Sequence, residues 1–342
     1  MDLRVTIIKI SKSLFLLILF LVAYSLLIGL AEMAFAPFYG TASSGDNVTS
    51  GDAYAAVSDI AEDAPEPPEP AVQLPPTALS AAAQTQNDYI TIQMKDTDIF
   101  KGSLILINSG NSYMIPEDND LVSVADIKTS SYRVDDKEIM LDASIADALN
   151  EMMDAFFAET GRDSITAISG FRTYEKQQEI LDDYINLLGP IEALKWAATP
   201  GNSEHHSGLA LDIGVYNGTA VRTFTGMGVN AWFKENCYKY GFILRYTKDK
   251  TNITGTADEP WHFRYIGNPH ATSVYRNAWC FEEYINHIRD FTFDDPCQTI
   301  YNSEMYLIYY TSDSNIRIPF DCEFDISGDN IGGFIVTVKP VG

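Results

Sequence analysis

Ser203-Glu204-His205-His206-Ser207-Gly208-Leu209-Ala210-Leu211-Asp212 reads as a turn running into a strand. Leu209 to Ile213 alternates in character, so Ala210 and Asp212 share one face and Leu209 and Leu211 the other. Small Ala210 leaves room beside Asp212. Gly208 permits a tight turn that folds His205 back over that face. A His and an Asp converging in this way are two candidate zinc ligands, His205 and Asp212. His206, in an extended backbone, points to the opposite side.

A second segment completes the set. Trp261 to Ile266 is predicted to be a strand, and His262, in Glu259-Pro260-Trp261-His262, offers a third ligand. Two His and one carboxylate leave a fourth position open, which is the composition of a catalytic rather than a structural zinc site. Glu259, three residues before His262, is placed to take a proton from water. Ser169-Gly170-Phe171-Arg172-Thr173 puts a cation on the turn after a short strand, where the Arg172 guanidinium can hold a carboxylate or a developing oxyanion. Arg245, in Leu244-Arg245-Tyr246-Thr247-Lys248-Asp249-Lys250, reads either as part of a solvated charged loop or as a substrate-binding residue. His270 and His287 lie outside any patterned segment and are expected to have no functional role.

The flanking elements alternate between the two periods. Leu104 to Asn108 reads as a buried strand. Ile145 to Thr160 carries Ile145, Leu149, Met152, Met153 and Phe156 at helical spacing and stops at Gly161. Thr166 to Ser169 is a short strand, Tyr174 to Leu188 a helix ending at Gly189-Pro190, and Val229 to Tyr240 a helix stopped by Gly241. Met305 to Tyr310 and Gly333 to Val338 are β-rich. The expected class is α+β, a mainly antiparallel sheet with flanking helices, without internal repeats.

The N-terminal part is of another kind. Arg4, Lys9 and Lys12 precede an uncharged apolar run from Leu14 to Ala31. Such a run is long enough to cross a bilayer, with its positive flank in the cytoplasm. The competing reading is a cleaved signal peptide, although Ala34-Phe35-Ala36 is followed by Pro37, a poor cleavage junction. A buried core helix would lack neighbours to cover it. No Lys or Arg occurs from Gly40 to Asp88, where Pro65, Pro67, Pro68, Pro70, Pro75 and Pro76 alternate with Glu66, Glu69 and Ala. This is an acidic spacer reaching about 40 Å as a coil and up to ~150 Å if polyproline-like. Asn47-Val48-Thr49 matches a glycosylation acceptor weakly. The expected division is residues 1–12 cytoplasmic, 13–36 transmembrane anchor, 37–88 spacer, 89–295 zinc domain and 296–342 β-rich extension.

Composition sets limits. The 342 residues are 46% apolar and 12% aromatic, so a sizeable core is available. Lys and Arg total 23 against 47 Asp and Glu, a net charge of -24. That balance excludes general attraction to nucleic acid and a polybasic lipid-binding surface. Four Cys are too few for a disulfide-built scaffold, and none has zinc-finger spacing. If oxidised, Cys297 and Cys322, flanking Met305 to Tyr310, are the most economical pair; the alternative is four reduced thiols, Cys237 and Cys280 included.

Together the motifs carry a resemblance. Ser-x-His-x-x-Gly-x-Ala-x-Asp at Ser203 to Asp212, followed by Glu-x-x-His at Glu259 to His262, resembles the VanY-type D-alanyl-D-alanine carboxypeptidases, within the wider group of VanX-like, lysostaphin-like and hedgehog-like zinc peptidases. Ser169 to Thr173 resembles that family's Ser-Gly-Tyr/Phe-Arg segment, and Gly241 to Tyr246 the stretch before its Glu-Pro-Trp-His. The resemblance covers about residues 98 to 290; the family's usual Pro after Arg-Tyr is Thr247 here. It implies one zinc ion per chain on His205, Asp212 and His262. It further implies Glu259 as base and then proton donor, Arg172 on the oxyanion, and Ser203 near the substrate's terminal region. The implied reaction is release of the terminal D-alanine from a peptidoglycan stem peptide. Independently of the motifs, the N-terminal reading anchors the chain in the membrane with its domain outside, or has it secreted, and a monomer is expected. Cleavage of an L,D linkage, wall endopeptidase action and a zinc-containing wall-binding module without turnover are the alternatives. D-Ala-D-Ala dipeptide cleavage is disfavoured for an exported chain.

Overall fold

The computed structural model describes residues 89–341. The expected cytoplasmic tail, anchor, spacer and glycosylation acceptor all lie outside them. Among the described residues no helix is long and apolar enough to cross a membrane.

In chain order, strands β1 (Tyr89–Gln93), β2 (Leu121–Ser123), β3 (Arg133–Val134) and β4 (Met140–Asp142) lead to helix α1 (Ala146–Thr160). Strand β5 (Ile165–Ser169), helix α2 (Tyr174–Leu188), strands β6 (Ala210–Tyr216) and β7 (Val221–Thr223), helix α3 (Ala231–Asn236) and strands β8 (Phe242–Leu244) and β9 (His262–Tyr265) follow. Helices α4 (His270–Arg276) and α5 (Phe281–Ile288) precede β10 (Cys297–Tyr301), β11 (Glu304–Thr311), β12 (Asn315–Pro319), β13 (Cys322–Gly328) and β14 (Phe334–Pro340). The central sheet runs β3-β5-β6-β9-β8, with β7 paired to β6. Only β3 and β5 are parallel in it. The α+β expectation therefore holds.

Period decides which way each element faces. Helix α1 buries Leu149, Met152, Met153 and Phe156 in one cluster with Ile165, Ala167, Leu211, Ile213 and Phe263 of the sheet, each such side chain contributing roughly 2 kcal/mol. It ends at Gly161, whose φ of 68° is left-handed. With the odd-numbered residues of β6 committed to that core, Asp212 is turned to the other face. The expected Val229–Tyr240 helix is broken into 3₁₀ turns on either side of α3, and Gly241 stops it as expected.

One expectation needs correction, and one pair of open alternatives is decided. Leu104 to Asn108 forms no strand, although Leu104 to Ile107 are buried. Leu104 and Leu106 enter one core cluster, Ile105 and Ile107 another. Its backbone partners are irregular: Leu104 N–H donates to Ser327 Oγ (2.9 Å), Leu106 N–H to Asp329 O (3.1 Å), and the Ser103 and Ile105 carbonyls accept from Arg264 Nη2. A continuous apolar run without a neighbouring ladder is extended chain, not sheet. Of the two cysteine alternatives the reduced one holds, all four thiols being free. Strands β10 and β13 are opposite edges of the sheet β10-β11-β14-β13. Three strand spacings separate their backbones by about 14 Å, twice the ~7 Å limit for a disulfide.

The C-terminal strands are tied into the rest. Strand β1 pairs with β12, and Ile308 and Ile335 share a cluster with Leu104, Ile243, Ile266 and Phe281. Residues 296–342 thus share their core with the sheet that carries the motifs.

Candidate active site

The site is assembled by strand register. Asp212 on β6 stands directly opposite His262 on β9, and on its other side opposite Ser169 at the end of β5, where the register shifts. Three strands therefore deliver Ser169, Asp212 and His262 to one row. Gly208, with φ of 71°, closes the 3₁₀ turn Glu204–Ser207 and returns His205 over that row. A side chain at Gly208 would put its Cβ 2.8 Å from the Asp142 nitrogen.

His205 Nε2 lies 3.2 Å from Asp212 Oδ2, and His262 Nδ1 lies 2.9 Å from Asp212 Oδ1. One ligand atom from each of His205, Asp212 and His262 falls within 4.8 Å of the other two, and all three residues are buried. The remaining ring nitrogens are taken: His205 Nδ1–H donates to Gly170 O (2.6 Å) and His262 Nε2–H to Glu204 Oε2 (3.3 Å). Those bonds fix the tautomers that leave Nε2 of His205 and Nδ1 of His262 free to bind a cation. Two imidazoles, which give up any proton on these nitrogens to a bound cation, and a carboxylate around a buried point suit zinc.

Glu259 is held by its backbone, which donates to Tyr246 O (3.0 Å) and accepts from His262 N–H (3.1 Å). Its Oε2 is 3.9 Å from His262 Nδ1. Burial pushes its carboxyl up to about 8, with Asp212 adding to the rise against the charges of His262 and Arg172. Burial and the Arg172 charge hold His205 down at about 4. Burial works against charge on His262, yet the carboxylates of Asp212 and Glu204 lift it to about 9. Asp212 stays well below the carboxylate range despite burial, because His205, His262 and Arg172 surround it.

Arg172 reaches the same row. Its Nη2 donates to Asp212 Oδ2 (2.7 Å), Nε to Ser169 Oγ (3.0 Å) and Nη1 to Gln177 Oε1 (3.4 Å), while its backbone N–H donates to His205 O (3.1 Å). The structure thus brings together His205, Asp212, His262, Glu259 and Arg172. Ser203 is buried at the start of the 3₁₀ turn.

Arg245 lies elsewhere. It is neither in a solvated loop nor open to a substrate, because its side chain is 0% exposed and its donors end on Glu204 and Glu282. His206 is not extended away either. The turn is 3₁₀, and His206 is bonded through Nδ1 to Arg172 O (2.7 Å) and through Nε2 to Gly201 N–H (3.0 Å). His270 is a buried structural residue between Tyr284 Oη and Thr337 Oγ1. Glu204 is the functional neighbour that sequence reasoning missed. It stood inside the first motif, but its partners are remote in sequence.

Comparison with known proteins places this geometry. The profile of VanY, D-alanyl-D-alanine carboxypeptidase, matches residues 138–268. A D-alanyl-D-alanine carboxypeptidase of Enterococcus faecium is 33% identical over 264 residues, covering 75% of this chain and 80% of the relative. One from Enterococcus faecalis is 35% identical over 237 residues, covering 63% and 80%. Among solved structures, the vancomycin resistance D,D-dipeptidase VanXYg, in complex with a D-Ala-D-Ala phosphinate analogue, superposes with a TM-score of 0.66. It is 30% identical and covers 73% of this chain and 99% of that one.

Proposed function

The chain belongs to the VanY family of D-alanyl-D-alanine carboxypeptidases, and from that premise we propose how its own residues carry the reaction. It is a zinc-dependent D,D-carboxypeptidase acting on peptidoglycan stem peptides. The observation that carries the assignment of residues is the convergence of three ligand atoms from His205, Asp212 and His262 within 4.8 Å of one another, with the Glu259 carboxylate 3.9 Å from His262 Nδ1.

His205 Nε2, Asp212 and His262 Nδ1 would hold the zinc, one ion per chain. Bound there, it would supply a Lewis acid that polarises the scissile carbonyl and acidifies water. Glu259 takes the proton of the attacking water and hands it to the departing amine of D-alanine; a carboxyl raised toward neutrality suits both transfers. Arg172, held by Ser169 and Gln177, turns its guanidinium to the oxygen on which charge develops. Ser203, buried at the start of the turn that carries His205, would bind near the peptide terminus. Every group named here comes from one chain, which supports a monomeric enzyme. A stem pentapeptide ending in D-Ala-D-Ala should yield free D-alanine, identified by mass, while a tetrapeptide whose last bond is L,D should stay intact. The reverse preference would contradict the reading.

The same proposal sets the domain outside the cell, tethered by residues 13–36 and carried on the spacer 37–88. Arg4, Lys9 and Lys12 before the apolar run, and the Pro-rich acidic stretch after it, support this. The full chain should remain with membranes after alkaline extraction and be digested by protease added to intact spheroplasts. Release at alkaline pH with a shortened N-terminus would mean cleavage and secretion instead.

A further inference from the structure

Behind the zinc ligands lies a second, closed cluster of charge. Glu204, whose Oε2 accepts from His262 Nε2, receives Arg245 Nε on Oε1 at 2.7 Å. The fork of Arg245 then closes on Glu282, Nη1 to Oε2 at 2.9 Å and Nη2 to Oε1 at 2.6 Å. Glu282 sits in the first turn of α5, outside every motif segment. Its Oε1 also accepts from Asn108 Nδ2 at 3.2 Å. Arg264 Nη1 approaches Glu204 Oε1 at 3.7 Å and has no hydrogen bond of its own. The Arg245 guanidinium lies 4.7 Å from the Tyr246 ring, and that ring lies 4.9 Å from His262. All four charged side chains are buried.

We propose that Glu282 is a positioning residue for the zinc site, acting through Arg245 and Glu204 on His262. The reasoning is geometric. Arg245 has one fork and two carboxylates to satisfy. The bidentate grip on Glu282 takes one N–H of each terminal nitrogen and fixes the guanidinium's orientation, in which Nε meets Glu204 Oε1 and Oε2 is left to His262. Glu204 is thereby held to Arg245 by one oxygen and keeps the other for His262. That bond sets the ring's tautomer and angle and so presents Nδ1 to the cation. Without the Glu282 charge, the fork is free to turn onto both oxygens of Glu204 and draw Oε2 away from the imidazole. A planar, five-donor guanidinium is the one side chain able to make this division.

The inference rests on His205, Asp212 and His262 holding zinc, and the test separates the two. Zinc affinity of the purified full chain is measured by chelator competition, and the visible spectrum is recorded with Co²⁺ in place of zinc. Glu282→Gln should weaken zinc about tenfold, the lower end for outer hydrogen-bond partners of a ligand. It should also shift the Co²⁺ bands and lower kcat with KM little changed. Glu283→Gln is the control. That carboxylate is on the same helix turn and is paired with Lys250 and Cys280 N–H, so its loss loosens the helix while zinc affinity stays at the wild-type value. If Glu282→Gln does not fold, Glu282→Asp decides. It keeps the charge but is one methylene too short to hold both fork nitrogens, and should weaken zinc several-fold. Wild-type zinc affinity and Co²⁺ spectrum in a folded Glu282 variant would overturn the inference and leave the ligand assignment standing. A wild-type protein that binds no zinc would overturn both.

Discussion

Two clusters of charge lie back to back across His262, and they are finished differently. In front are Arg172, His205, Asp212 and Glu259; behind are Glu204, Arg245, Arg264 and Glu282. The rear cluster is closed: each oxygen of Glu204 and Glu282 is hydrogen-bonded, and Arg245 spends three nitrogens on them. The front is left open. The Glu259 carboxylate faces His262 Nδ1 at 3.9 Å, beyond hydrogen-bond reach, and burial raises its proton affinity. Asp212 gathers Arg172, His205 and His262 around one carboxylate. Saturated charge holds a shape; unsaturated charge at a buried point is available to bind and react. Changes in front should therefore remove activity with little loss of stability, and changes behind should cost stability and weaken the hold on the metal.

The largest expected effect is in front. Glu259→Gln keeps the three ligands and loses the base, so D-alanine release should fall on the order of 10³-fold with the zinc content of the protein unchanged. A variant that lost its zinc would move Glu259 among the ligands. Behind, Arg245→Met leaves Glu204 and Glu282 buried without their shared cation. Urea unfolding should record a loss of about 3–5 kcal/mol, the usual consequence of breaking a buried pair; a change below 1 kcal/mol would mean the cluster is wetter than its burial indicates. Returning to the front, Arg172→Lys keeps the charge and loses the planar fork. Turnover should drop about 10²-fold with stability and zinc content near wild type, whereas wild-type turnover would make Arg172 a bystander.

The smallest effect is far from either cluster. Burial holds His270 down at about 3, below the ~6.5 of the unfolded chain. The unfolded state therefore takes up the proton first as pH falls, and stability is lost from pH 6.5 downward. At about 1.4 kcal/mol per pH unit the loss reaches roughly 2 kcal/mol by pH 5. His270→Gln should flatten that part of the urea-midpoint profile. A slope identical to wild type would assign it to another group.

The same contrast explains what was legible in the sequence. The front cluster is local: Gly208 joins His205 to the strand carrying Asp212, and Glu259 and His262 are three residues apart. Helical and strand periods then fix the faces, so α1, α2 and β6 are readable. The rear cluster is made of residues that meet only after folding. Glu204 was in plain view beside His205, but its role depends on Arg245, and Arg245 sits among Thr247, Lys248, Asp249 and Lys250, which read as a wet loop. Leu104 to Asn108 has the continuous apolar run of a buried strand, yet its partners are the end of β13, the residues just after it and one guanidinium, which no local pattern announces. Cys297 and Cys322 looked adjacent because they flank one strand; the sheet order set them on opposite edges.

The central claim is that one zinc ion on His205, Asp212 and His262 makes the site catalytic. Protein stripped of metal with a chelator and dialysed should release no D-alanine from a D-Ala-D-Ala stem peptide. Activity should then rise linearly with added zinc and stop at one equivalent per chain, and His205→Ala should stay inactive throughout that titration. Full activity in the stripped protein, or an active His205→Ala variant replete with zinc, would contradict the account.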